Sequence, residues 1–159
     1  MIKALVFLFV LLSMNGCGFK PMYTSDGMGI KLDKLSINFE GDVSYEVKEE
    51  LKNLFSTEQE NKDYVVSVEV KQEMVPVIIN ENGTVSKYQI DIALFFVVKD
   101  KLDQVVIDDV ALGFAQYDVL DSEIENKDLS NQMLRSATTD AASLMITKIQ
   151  SKLSLADDN

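Results

Sequence analysis

Residues 64–99, YVVSVEVKQEMVPVIINENGTVSKYQIDIALFFVVK, contain two long apolar alternations separated by a turn signal. Valine alternates with polar side chains in the first half, at Val66, Val68 and Val70. This period of two is typical of a β-strand with one buried face. Asn82-Gly83 is a strong signal for a hairpin turn. Pro76 has no N–H to donate, so we expect the end of the first strand to lie at an edge or a bulge.

The returning strand, predicted over residues 86–99, has two faces of different character. The first face is apolar throughout, with Tyr88, Ile90, Ile92, Leu94, Phe96 and Val98. The second face begins polar and ends apolar, with Ala93, Phe95 and Val97. Strands buried on both faces have near-continuous apolar runs, so we interpret this strand as central, with its far half covered on both sides. The alternative is that the block from Phe95 to Val98 faces a partner.

Further strands flank this hairpin on both sides. Residues 105–118 predict a strand in which we interpret Gly113 as a bulge. A short alternation at Leu35, Ile37 and Phe39 predicts a first strand, which Gly41 ends. The polar stretch VLDSEIENKD, residues 119–128, is interpreted as an acidic connection.

Two amphipathic segments predict helices. Residues 44–56 have one apolar stripe at helical spacing, formed by Val47, Leu51, Leu54 and Phe55. Residues 129–153 have a second stripe, formed by Leu134, Ala137, Ala141, Met145 and Ile149 and widened by Leu144 and Leu153. The small alanines should let this helix lie close to a sheet. The predicted fold is therefore an α+β two-layer sandwich of order βαβββα, with two helices on a four-stranded, largely antiparallel or mixed sheet.

The N-terminal residues predict an export signal followed by a lipid anchor. Lys3 precedes a nine-residue apolar run, ALVFLFVLL, which is shorter than the ~20 residues that a membrane-spanning helix needs. The lone cysteine, Cys17, directly follows Gly16, as the acylated cysteine of a bacterial lipoprotein follows its cleavage site. The alternative is a buried cysteine near an ordinary cleavage site. The predicted organisation is a signal peptide (1–16), a lipidated tether (17–31) and a single α+β domain (32–159).

Charge and composition exclude several functions. The chain has 15 basic and 26 acidic residues, a formal net charge of −11, which would repel nucleic-acid phosphates. Without histidine, the usual zinc sites and Ser-His or Cys-His pairs cannot form. The acid pairs Asp108-Asp109 and Glu49-Glu50 are interpreted as solvated rather than as metal or acid–base sites. Neighbours on a strand, such as Asp108 and Asp109, face opposite ways, and Glu49 and Glu50 are expected on the exposed side of the predicted helix. We therefore expect no enzyme activity, cofactor or metal.

The stretch CGFKPMY, residues 17–23, resembles the start of mature outer-membrane lipopolysaccharide-assembly lipoproteins, the LptE family. The order of strands and helices, Lys87-Tyr88 at the start of the returning strand and Asp140-Ala141 in the final helix continue the resemblance. It implies a plug inside the large lipopolysaccharide-export β-barrel (LptD-like), which helps that barrel to assemble and lipopolysaccharide to cross. In many Gram-negative bacteria, an aspartate directly after the acylated cysteine retains a lipoprotein in the inner membrane. This chain has Gly18 at that position, which favours an anchor in the outer membrane, on its periplasmic side.

The resemblance makes two groups of residues candidates for contacts. Lys87 is the candidate for a lipopolysaccharide phosphate, and its alternative is a solvated surface lysine. The candidates for docking on the membrane or on the partner are Phe19, Pro21, Met22 and Tyr23. The alternative function is a free-standing periplasmic lipoprotein that binds a small ligand or peptidoglycan.

Overall fold

The predicted α+β class and the order βαβββα are confirmed by the computed structural model, which describes residues 35–55 and 63–157. The elements are β1 (Leu35–Glu40), α1 (Tyr45–Phe55), β2 (Tyr64–Ile79), β3 (Val85–Lys99), β4 (Val105–Asp118) and α2 (Glu123–Asp157). One four-stranded sheet has the order β1-β2-β3-β4, and both helices contribute to the core on one of its faces.

Several predictions concern residues outside this description. The signal peptide, the tether and the acylation of Cys17 all lie there, as do the candidate docking residues Phe19, Pro21, Met22 and Tyr23. The domain boundary proposed at residue 32 also precedes the first described residue, Leu35. These statements stay predictions.

The sheet is mixed, with one parallel pair and two antiparallel pairs. β1 runs parallel to β2, and α1 connects them, whereas β2, β3 and β4 form an antiparallel meander. The predicted turn is present: the Asn80 N–H donates to the Thr84 carbonyl over 2.8 Å, and Gly83 has a φ of +84°. The predicted irregularity at Pro76 is confirmed by register shifts between Pro76 and Ile79. Pro76 is also beyond the end of β1, at an edge of the sheet.

Gly41 ends β1 as predicted, and its conformation excludes a side chain. Its φ is +144°, and a Cβ at this position would lie within van der Waals overlap of the Val70 carbonyl oxygen. Only glycine combines this backbone conformation with so close an approach. The turn brings the chain from β1 directly into α1.

The core lies on one face of the sheet only, so the prediction that the far half of β3 is covered on both faces is wrong. Phe96 and Val98 are fully buried, but Phe95 is 41% exposed. The physical reason is that both helices pack on the same face, while no described element covers the opposite one. The apolar residues at 93, 95 and 97 therefore form part of an exposed surface.

Helix α2 begins six residues before the predicted start, inside the segment interpreted as a connection. The Ser122 hydroxyl accepts the Glu125 N–H over 3.4 Å, and the Ser122 carbonyl accepts the Asn126 N–H over 3.0 Å. Ser followed three residues later by Glu is a capping-box pattern. The acidic side chains of the first turn also stabilise the helix, because they interact favourably with the positive end of its dipole. The helix has 35 residues, so it is about 52 Å long and spans the length of the sheet.

The predicted stripe of α2 faces the sheet, with one exception. Its members from Leu134 to Ile149, together with Leu153, are buried. Leu144 is 40% exposed because it lies 100° around the helix from its neighbour Met145, which is fully buried. Gly113 keeps the regular register of β4, so it is not a bulge. It marks the closest approach of α2, since a Cβ there would overlap the Ala137 carbonyl oxygen and lie 2.6 Å from the Ala141 nitrogen.

Candidate docking surfaces

Lys87 lies near the hairpin end of the sheet, and it is paired with an acid. It is the third residue of β3, opposite Asp118 of β4. Its Nζ is 3.1 Å from Asp118 Oδ1, and its side chain is 29% exposed. A phosphate would have to compete with this carboxylate for the amine. The ion pair is near the surface, where such pairs contribute about 0–1 kcal/mol, so the competition is not costly. The role of Lys87 stays a prediction.

Asp109 is not solvated as predicted but connects β4 to α2. Its carboxylate accepts from Lys148 over 2.9 Å and lies 3.1 Å from Lys152. Lys148 also donates to the Val110 carbonyl over 2.7 Å. Hydrogen bonds from Lys148, from the Val110 N–H and from Lys152 hold the pKa of the Asp109 carboxyl well below its usual range. The predicted divergence of Asp108 and Asp109 is confirmed, because Asp108 lies on the opposite face of the sheet.

The second acid pair connects the two helices, so its interpretation as solvated is also wrong. Arg135 of α2 donates to Glu49 over 2.9 Å and to Glu50 over 3.4 Å, and Thr139 donates to Glu50 over 3.0 Å. Its hydrogen bond to Glu49 raises the pKa of the Arg135 guanidinium. Asp109 and the Glu49-Glu50 pair thus fix α2 in place.

The sheet face opposite the helices, which we call the open face, has an apolar centre. Three cross-strand rows define it, and the register gives them as Glu69–Phe95–Val110, Lys71–Ala93–Leu112 and Glu73–Asp91–Phe114. Phe95, Leu112 and Phe114 are 41%, 61% and 65% exposed. We call these three residues the apolar patch. The surface around them forms a recess of about 680 Å³.

Leu112 and Phe114 were not identified from the sequence, although a signal was present. In β4 the small residues Ala111 and Gly113 alternate with the large Leu112 and Phe114. The small residues face the helices because α2 lies so close that larger side chains would not fit. Alternation then places the large apolar side chains on the open face. Small residues in a strand, matched by an alanine-rich helix stripe, predict this arrangement.

Charges surround the apolar patch unevenly. Lys71 lies 4.6 Å from the centre of the Phe95 ring and 3.2 Å from Glu69, so its charge is directed to that side. On the other side, Glu73 and Asp91 are directly opposite each other on β2 and β3. Asp91 accepts a hydrogen bond from the side-chain amide of Gln89 over 2.8 Å, but this amide is neutral and does not balance the charge of the carboxylate. Within the described residues, neither carboxylate has a cationic partner.

Two general properties of the described ranges bear on function. Residues 35–55 and 63–157 contain no group of three or more acidic, cysteine or histidine side chains placed to hold a metal ion. None of the helices in these ranges combines the length and the apolar character that a membrane span requires.

Comparison with solved structures finds the same fold in bacterial lipoproteins. Rare lipoprotein B from Shewanella oneidensis matches with a TM-score of 0.55 and 11% identity, over 77% of this chain and 98% of that one. A minor lipoprotein from Acinetobacter baumannii matches with a TM-score of 0.56 and 16% identity, over 76% and 92%. Uncharacterized lipoprotein B from Nitrosomonas europaea matches with a TM-score of 0.56 and 14% identity, over 80% and 94%.

Comparison at the level of sequence gives no further relative. No protein-family model matches the chain, and no curated protein matches it. At identities of 11–16% the structural likeness establishes a shared fold, and the function has to be argued from the residues of this chain.

Proposed function

We propose that this chain is an LptE-type outer-membrane lipoprotein that plugs a lipopolysaccharide-export β-barrel and assists its assembly. The observation that carries the proposal is the fold, which matches nearly the whole length of lipoproteins from three bacteria. The chain adds the block CGFKPMY, in which the only cysteine lies directly after a predicted signal peptide. Acylation of that cysteine would anchor the domain to the periplasmic side of the membrane.

The shape and rigidity of the domain suit a plug. A barrel lumen is polar and wet, so its occupant needs a compact body with a largely charged exterior. This chain has 26 acidic and 15 basic residues and a single core. The ion pairs of Asp109 and of Arg135 fix α2 to the sheet and to α1. Such a body can support a barrel wall without changing its own conformation.

Lys87 is the proposed contact for a lipopolysaccharide phosphate. It lies at the hairpin end of the sheet, where its amine is paired, among the described residues, with the exposed carboxylate of Asp118. Lys87→Glu should weaken lipopolysaccharide handling more than barrel capture, because it reverses one charge and leaves the domain folded. Cells with this variant should admit large antibiotics while the barrel still co-purifies. If barrel capture fell as much as lipopolysaccharide handling, Lys87 would be a barrel contact instead.

Depletion of the protein tests the proposal as a whole. We expect the amount of correctly folded, heat-modifiable barrel to fall and the outer membrane to become permeable to large antibiotics. Cys17→Ala serves as a control for anchoring, since it removes the acylated thiol and leaves residues 35–157 unchanged. Intact barrel assembly after depletion would contradict the proposal and favour the free-standing periplasmic binding lipoprotein.

A further inference from the structure

The open face is too apolar to be only a solvated surface. Leu112 and Phe114 are neighbours on one side of β4 and are 61% and 65% exposed. Phe95 of β3 lies on the same face, one cross-strand row from Leu112 and two rows from Phe114, and all three line one recess. Contiguous exposed apolar residues with a polar rim mark interaction sites. Three strands contribute to the recess, so it is a broad, shallow surface of the kind that protein partners cover.

The rim charges specify the chemistry of that partner. Glu73 and Asp91 are like charges directly opposite each other on neighbouring strands, an arrangement that destabilises a sheet. Lys71, two residues before Glu73 on β2, is directed to Glu69 and to the Phe95 ring. Asp42, at the edge of the recess, adds a further carboxylate. A partner that placed a cation between Glu73 and Asp91 would relieve this repulsion.

We propose that the open face is the surface that contacts the partner barrel, through a segment in which Lys or Arg is flanked by apolar side chains. The cation lies between Glu73 and Asp91, and the apolar side chains cover Phe95, Leu112 and Phe114. This inference rests on the proposed function, because it takes the barrel as the partner. It adds the orientation of the domain: the open face is turned to the wall of the barrel, and the helices are turned away from that contact.

The test compares tagged full-length chains purified from detergent-solubilised membranes, with the co-purified barrel quantified. Leu112→Ser is matched by Leu102→Ser, which changes a leucine that is 77% exposed in the β3–β4 turn, outside the open face. Glu73→Lys combined with Asp91→Lys is matched by Asp128→Lys combined with Asp140→Lys, which makes the same charge change at exposed positions of α2. We expect a tenfold or greater loss of barrel for the two open-face variants, and wild-type recovery for both controls.

Thermal melting separates docking from a structural role. The open-face variants should keep the wild-type Tm, because they remove no buried contact. Equal barrel recovery by open-face and control variants would overturn the inference while leaving the proposed function intact. A lowered Tm that accounts for the lost barrel would overturn it as well.

If the wild type recovers no barrel, the proposed function is wrong. Photo-cross-linking in intact cells then tests separately whether the open face is a docking surface. One variant has a photo-cross-linking residue in place of Leu112, and the control variant has it in place of Leu102. A cross-link from position 112 to one mapped segment containing Lys or Arg, lost in Glu73→Lys with Asp91→Lys, supports a docking surface of this chemistry. Absence of that cross-link overturns it.

Discussion

The two faces of the sheet are built from neighbouring residues but have opposite roles. On the helix-covered face, Phe96, Val98 and Ile92 are at most 1% exposed and belong to the core that includes residues of α1 and α2. On the open face, Phe95 and Leu112 are 41% and 61% exposed, although they are equally apolar. The difference shows that hydrophobicity alone does not identify a core: burial depends on which face the helices cover, and the other face remains free for a partner.

Particular acids on the two faces also differ in their ion pairs. Acids on the helix side, such as Asp109, are matched by lysines of α2, whereas Glu73 and Asp91 on the open face have no cation among the described residues. Charges that hold the fold together are thus paired within the chain. We expect the unpaired charges to find their partners in another protein.

The adjacent phenylalanines give the largest expected contrast between the faces. Phe96→Ala should destabilise the domain by about 3–5 kcal/mol, because it creates a cavity in the core. Phe95→Ala should cost less than about 1 kcal/mol, because the ring is at the surface. Chemical denaturation of both variants measures the difference. Similar losses for the two variants would mean that the open face is buried in the isolated protein.

The closest approach of α2 to the sheet gives the next contrast. Gly113→Ala should cost about 3 kcal/mol, at the upper end for overpacking, because the new Cβ would meet backbone atoms of Ala137 and Ala141. Leu112→Ala, one residue away on the open face, should change the free energy of unfolding by no more than about 0.5 kcal/mol. Chemical denaturation measures both variants, and an unchanged free energy of unfolding for Gly113→Ala would mean that α2 lies farther from β4 than described.

The stripe of α2 can be tested by adding volume. Ala141 is fully buried, so Ala141→Leu should overpack its contact and cost about 1–3 kcal/mol. Leu144→Ala is the matched control, since Leu144 is 40% exposed and its removal should have little effect. The Tm of each variant is measured. An unchanged Tm for Ala141→Leu would mean that Ala141 does not lie on the buried side of α2.

The smallest expected effect is the pH dependence of the Asp109 ion pairs. Because the folded-state pKa of Asp109 is lower than its unfolded value, these pairs contribute fully above about pH 4 and are lost as the pH falls through the folded value. Asp109→Asn should therefore lower the Tm at neutral pH, and its deficit should shrink below about pH 4. Asp108→Asn, on the open face, is the matched control for the loss of one carboxylate, since it removes no contact with α2. A deficit for Asp109→Asn that stays constant with pH would contradict the assignment.

The element order was predictable because each segment has one strong pattern. Valine alternation with Asn82-Gly83 predicts the hairpin, and the stripe through Ala137 and Ala141 predicts a helix close to a sheet. The start of α2 was missed because Ser122 and Glu125 lie in an acidic stretch that was interpreted as polar connection, although their spacing is that of a capping box.

Which face of the sheet is covered was not predictable from periodicity alone. A strand with apolar residues on both faces has the same pattern whether its second face is buried in the chain or covered by a partner. The pairings of Asp109 with Lys148 and of Glu50 with Arg135 were also missed, because they join residues 39 and 85 positions apart. Their contact depends on how α2 crosses the sheet.

The most direct test of the account is the purification of the tagged wild-type chain from detergent-solubilised membranes, with parallel analysis of Leu112→Ser and Leu102→Ser. We predict that a lipopolysaccharide-export barrel co-purifies in a fixed ratio with the wild type and with Leu102→Ser, and that it is lost with Leu112→Ser. A wild-type chain that is acylated, folded and purified without any barrel would contradict the central claim.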